Sequence, residues 1–212
     1  EEATGALVVT RESSEAARSG FTYVIESAVP NYTPESLPAD ATDGLDSEFL
    51  AEHTALPPSC ASEDDVTRCW PDWVTGEAER ITAGAATDYE RVRLLQSFFV
   101  DSNSFTYDLN VANGHSINTI EDFLNVRRGY CEQFASTFAA MARSIGIPAR
   151  VAVGFTWGEF DPVRGEYIVR GEHAHAWPEL YFSGVGWIVL DPTPGRGPSQ
   201  NSEITGLAPA QL

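Results

Sequence analysis

From about residue 75 the apolar residues of this chain follow a mainly helical period up to Pro148 and a strand period after it. Thr87-Asp88-Tyr89-Glu90 sets a hydroxyl three residues ahead of a carboxylate, the pattern of a capped helix start. Tyr89, Val92, Leu95 and Phe99 then recur on one face, so the spacing predicts an amphipathic helix ending near Asp101. A shorter helix is expected around Glu77–Ala83, and Phe105-Thr106-Tyr107 reads as a short extended segment. A further helix opens after Gly129: Cys131, Phe134, Ala135, Phe138, Met141, Ala142 and Ile145 share a face, and Gly146 and Pro148 stop it. Downstream, Arg150–Phe155, Glu166–Arg170, His175–Phe182 and Trp187–Leu190 read as strands. Asp161-Pro162 with Gly165 supplies one turn, and Ser183-Gly184-Val185-Gly186 another. A helical block followed by an antiparallel meander is an α+β arrangement.

Three zones follow from this pattern. Residues 1–75 form a loop-rich extension with two expected strands, Ala6–Thr10 and Phe21–Ser27, and an irregular arm punctuated by Pro30, Pro34 and Pro38. Residues 76–195 carry the tight periodicity of a core, and residues 196–212 read as a Gly-, Pro-, Ser- and Asn-rich linker. No internal repeat is visible. No apolar run approaches the roughly 20 residues of a membrane-spanning helix. The chain opens at Glu1 without a signal peptide, so it reads as a fragment or processed form of something longer. Its net charge of −18 is spread along the sequence. That field repels phosphate backbones and anionic headgroups, which argues against nucleic acid as a partner.

The three cysteines divide unequally. Cys60 and Cys69 enclose a short polar loop in a region of low apolar density, where a covalent staple helps most. A Cys60–Cys69 disulfide is favoured over two free thiols or half a metal site, and it implies an oxidising, extracytoplasmic compartment. Cys131 is left over. Its place in the first turn of a helix exposes it to unpaired amides, which favour a thiolate and can also hold an oxyanion. The alternative is an inert buried thiol.

A histidine pair and an aspartate lie downstream. His173 and His175 fall on one face of an expected strand, and a turn through Ser183-Gly184-Val185 would pair Phe182 with Gly186. Counting back then pairs Trp177 with Asp191 and puts Asp191 one diagonal step from His175. A two-residue turn would reverse that parity. The residues therefore allow a Cys–His–Asp relay without requiring one. A metal site built on His173-Ala174-His175 with Glu172, Cys131 or Asp191 lacks a second ligand cluster, and no metal or cofactor is expected.

Arg128-Gly129-Tyr130-Cys131-Glu132-Gln133-Phe134-Ala135, Met141-Ala142-Arg143 and Gly146-Ile147-Pro148-Ala149-Arg150 closely resemble the nucleophile helix of bacterial transglutaminase-like proteins. His175-Ala176-Trp177 with Glu179, Gly186-Trp187 and Asp191-Pro192-Thr193 resemble the same family in order and spacing. Ile81-Thr82-Ala83-Gly84, Tyr89-Glu90, Phe105-Thr106-Tyr107 and Phe123-Leu124 are similar to the extracytoplasmic domain of its membrane-anchored TgpA-type members. The resemblance covers roughly residues 75–195 and implies a papain-like fold, with the cysteine helix packed on an antiparallel sheet. It implies Cys131 as nucleophile, His175 rather than His173 as base, and Asp191 as the residue that orients the imidazole. Tyr107 is a candidate oxyanion donor. The implied activity is a cysteine acyltransferase or amidohydrolase that forms a thioester from an amide and passes it to an amine or to water. The implied setting is the outer face of a bacterial membrane, with anchors outside this fragment and a protein or peptide substrate, cell-envelope material included. The competing reading is a silent binding or scaffolding module with the same fold. Pro178 departs from the family pattern, since a proline suits only an edge or bulged strand. Oligomeric state is unreadable from the chain.

Overall fold

The computed structural model describes residues 32–60, 69–100, 104–111 and 117–195. The strands expected at Ala6–Thr10 and Phe21–Ser27, and the linker 196–212, lie outside the described residues. The elements run α1 (Ser47–His53), α2 (Asp72–Ile81), α3 (Asp88–Val100), β1 (Thr106–Tyr107), α4 (Ile117–Val126), β2 (Arg128–Gly129), α5 (Cys131–Ser144), β3 (Ala149–Phe155), β4 (Glu159–Asp161), β5 (Glu166–Ile168), β6 (Ala174–Phe182) and β7 (Gly186–Val189). The fold is α+β, as the change of period predicts.

Helix α5 is the central element. Phe134, Ala135, Thr137, Phe138, Ala139, Met141 and Ala142 are all buried along it. One side packs on β3 and β6, and α2, α3 and α4 pack on the rest. Around its first turns Phe99, Phe105, Phe123 and Phe134 form an aromatic cluster, with Phe123 and Phe134 at 4.8 Å between ring centroids. Burial of each such ring stabilises the fold by about 1.5–3 kcal/mol. Leu37, Ala41, Trp70 and Val74 belong to the same core. The unit runs from Tyr32 onward, so residues 32–75, which the sequence assigns to an extension, help to build the scaffold of the site.

The main sheet has the order β3-β6-β7, and β4 and β5 pair separately as a hairpin inserted between β3 and β6. The expected four-strand meander is therefore a three-stranded sheet plus a hairpin. Phe182 pairs with Gly186 across Ser183-Gly184-Val185, with Gly184 at a φ of 76°. This is the register that puts His175 and Asp191 on one face. Pro178 sits in the central strand, at neither an edge nor a bulge. Its carbonyl accepts from Leu190 N at 3.1 Å, so its missing N–H faces the last position of the short β7 ladder, where only one bond is lost.

Two helices are absent from the sequence reading. Asp46 accepts from Phe49 N at 2.8 Å to start α1 inside the Pro-rich arm. Helix α4 ends at Arg127, a non-glycine residue at a φ of 58°, whose carbonyl accepts from Thr106 N. That left-handed turn directs the chain into β2 and α5. Helix α2 starts at Asp72, ahead of the expected Glu77.

At Gly129 an added Cβ would stand 2.9 Å from the Phe123 ring and 3.1 Å from Gln133 Cβ. The ring is fixed in the aromatic cluster and cannot retreat freely. Gly129→Ala is expected to destabilise the fold by about 1–3 kcal/mol, read as a lower urea midpoint without a changed slope.

Candidate active site

Cys131 is the first residue of α5, preceded by Tyr130 in extended conformation. Gln133 reaches back so that its Oε1 accepts from Tyr130 N at 2.9 Å, which fixes the helix start. The thiol packs with Ala135 and Ala176, flanked by Tyr107 and Tyr130. Among the described residues it is the free cysteine. Cys60 and Cys69 are joined in a disulfide.

His175 lies near the start of β6. Its Nε2 donates to Asp191 Oδ2 at 2.6 Å, and both side chains are almost fully excluded from solvent. Asp191 is held at both carboxylate oxygens and at its carbonyl. Its Oδ1 accepts from Thr193 N at 2.8 Å, and its carbonyl accepts from Gln96 Nε2 of α3 at 2.9 Å. Gln96 is itself fixed by Arg93, whose Nη1 donates to its Oε1. With Nε2 engaged, the nitrogen left for the hydrogen bond between His175 and Cys131 is Nδ1. The sulfur also accepts from the amide of Ala176. On β6 that amide points to the β7 side, where β7 has already ended, so no ladder bond competes for it.

The electrostatics follow from these contacts. Burial pushes the Cys131 thiol up, but the His175 hydrogen bond, the Ala176 amide and the imidazolium charge outweigh it and leave the thiol below its ordinary value. Burial pushes His175 down, but the hydrogen bonds and charges of Asp191 and Cys131 carry it up to about 9. The pair thus favours thiolate with imidazolium, and the two protons belong to the pair jointly. The sulfur opens on a cavity of about 450 Å³ lined by Tyr107, Tyr130, Glu132, Val153, Gly154 and Glu172, among others.

The structure brings Cys131, His175 and Asp191 together and keeps His173 apart. His173 lies in a 3-10 turn ahead of the strand, so the expectation that both histidines share one strand face is corrected. Its Nδ1 accepts from Arg170 N at 2.8 Å, a local cap. Among the described residues, no group of three His, Cys, Asp or Glu side chains is disposed to hold a metal ion. Tyr107 is on the cleft wall. Gln96 and the Ala176 amide were not anticipated. Gln96 interrupts the apolar face of α3 and is buried with Val92, Leu95 and Phe99, a signal visible in the sequence. The Ala176 amide has no side-chain signature at all.

The model of the transglutaminase-like superfamily matches residues 76–192, more than half of the chain. The chain belongs to that superfamily. It is 28% identical to the periplasmic domain of TgpA from Pseudomonas aeruginosa, with a TM-score of 0.58, covering 70% of this chain and 48% of that structure. It is 31% identical to YebA of Bacillus subtilis over 132 residues, 59% of this chain and 18% of the relative. It is 40% identical over 75 residues to a protein-glutamine gamma-glutamyltransferase of Pseudomonas aeruginosa, 35% of this chain and 11% of the relative. The chain thus spans less than half the length of each of these three. The family fold is papain-like, with a cysteine helix on an antiparallel sheet, and this chain shares it.

The thiol's lowered pKa means that thiolate persists to lower pH than in a free cysteine, whose value is about 8.5. Alkylation of Cys131 by iodoacetamide is expected to stay fast well below that pH. His175→Ala should return the profile to that of an ordinary thiol, and His173→Ala should leave it unchanged. Equal effects of the two substitutions would contradict the geometry. Gln96→Leu removes the bond to the Asp191 carbonyl and should cost about 1–3 kcal/mol in stability, measured by chemical denaturation.

Proposed function

We propose that this domain is a cysteine acyltransferase that forms a thioester at Cys131 from a glutaminyl or related amide. The observation that carries this reading is the buried relay Cys131–His175–Asp191 at the N-terminus of α5. The sulfur, already paired with the imidazolium of His175, attacks the amide carbonyl and forms a tetrahedral adduct. In this reading the Cys131 amide at the helix start donates to the resulting oxyanion, with Tyr107 a second donor. His175 gives its proton to the departing nitrogen, the C–N bond breaks, and ammonia or an amine leaves the thioester behind. Neutral His175 then takes a proton from the acceptor, which attacks the thioester; the C–S bond breaks and the thiolate–imidazolium pair is restored. Asp191 keeps Nε2 protonated and stabilises the imidazolium throughout. The acceptor is an amine for transamidation or water for hydrolysis. Similarity to a gamma-glutamyltransferase supports the amine. The carboxylates of Glu132 and Glu172 on the cleft wall also favour a cationic group over an anionic one.

The setting we propose is extracytoplasmic, as a domain of a larger membrane-anchored protein acting on proteins or peptides of the cell envelope. Similarity to a periplasmic domain and the Cys60–Cys69 disulfide support it, since such bonds persist in oxidising compartments. Among the described residues no helix is long and apolar enough to cross a membrane.

The test is incorporation of a fluorescent primary amine into a glutamine-containing peptide, with ammonia release followed in parallel. Cys131→Ala is expected to abolish both while keeping the circular dichroism of the parent, because Ala is a good helix former. The rate against pH should be bell-shaped. The acid limb falls where Cys131 takes up its proton, below the ordinary thiol range. The alkaline limb falls near pH 9, where His175 loses the proton it must deliver. A chain with an ordinary thiol titration and no turnover would instead be a binding module.

A further inference from the structure

Strand β3 is the outer strand of the sheet order β3-β6-β7 and has, among the described residues, no strand on its far side. Its register is fixed by two flanking bonds: Tyr181 N donates to Pro148 O, and Thr156 N donates to His173 O. Even-numbered β3 residues therefore bond to β6, and the N–H and C=O groups of Val151, Val153 and Phe155 point outward. These three residues are 43%, 77% and 60% exposed. Edge strands are normally blunted by charge, proline or a bulge. Residues 151–155 carry neither charge nor proline, and their pairing with β6 runs without a bulge. Arg150, the strand's one cation, is drawn away by Glu179 and the Trp187 ring.

The edge is continuous with the cleft, since Val153 and Gly154 line the same cavity as Cys131 and His175. We propose that the outer edge of β3 is the docking strand for the acyl-donor polypeptide, which adds to the sheet as an extended segment and continues past Val153 and Gly154 into the cleft that holds Cys131. This rests on the acyl-transfer reading above. Main-chain bonds to the edge supply affinity, and apolar side chains at alternate positions of the donor meet Val153 and Phe155. A second copy of the chain is disfavoured as occupant by its net charge of −18.

The experiment titrates Cys131→Ala with a lysine-flanked peptide of valines alternating about a central glutamine, and with versions N-methylated at single amides. Methylation at alternate residues is expected to weaken binding about tenfold or more, a loss of about 1.4 kcal/mol each, while the intervening residues tolerate it. Val151→Pro should weaken binding similarly with its ladder bonds intact, because its N–H faces outward. Position-independent effects of methylation, or no binding of the peptide, would overturn the proposal. So would self-association of the chain that Val151→Pro abolishes, which would put a second copy on the edge. Alternating binding to Cys131→Ala with no acyl transfer by the parent would retain the dock and sink the acyl-transfer reading. Acyl transfer without alternation would do the reverse.

Discussion

Packing of the apolar face of α5 against β3 and β6 sets the distances on which the site depends. The helix delivers Cys131 at its N-terminus and the strand delivers His175 and the Ala176 amide, so thiol, imidazole and amide meet only while those faces stay in register. Of the buried residues along α5 from Phe134 to Ala142, Ala135 packs against the thiol and the others lie in the core behind it, yet the fit of all of them decides where the sulfur stands. Close packing transmits a small displacement rather than absorbing it. Gly129 belongs to the same constraint, because it lets the chain pass tightly under Phe123 just before Cys131.

The short length of β7 is the second determinant. Ending the strand at Val189 leaves the β7-facing amide of Ala176 for the sulfur, and it lets the chain turn so that Asp191 meets Nε2 of His175. Pro178 fits the same geometry, since the ladder it would interrupt is already at its end. The cleft is thus made by what the sheet does not complete. A longer β7 would bond Ala176 in the ladder and remove a donor from the thiolate.

Much of this was legible in the sequence because periodicity and turn chemistry are local. The register of β6 and β7 followed from one assumption about Ser183-Gly184-Val185, and α3 and α5 from their apolar faces. Helix α1 was hidden by the prolines of the arm ahead of it and by the lack of a sustained apolar stripe, so Asp46 alone marked it. The separate β4–β5 hairpin was misread because the spacing of strands does not say which of them pair. His173 was placed on the strand because alternation cannot distinguish a strand from a 3-10 turn three residues long. Gln96 is a more instructive omission: a polar residue within an apolar face should always prompt a search for a buried partner.

The bond from Gln96 to the Asp191 carbonyl joins positions 95 residues apart. Contacts of such separation form late, because loop closure must precede them. The relay is therefore absent until residues 175–191 have folded against α5, and until then Cys131 lacks the contacts that lower its pKa. Oxidation of Cys60 and Cys69 can proceed in that interval without a reactive competitor nearby. Nucleophilicity arrives with the last strand, as a property of the finished fold.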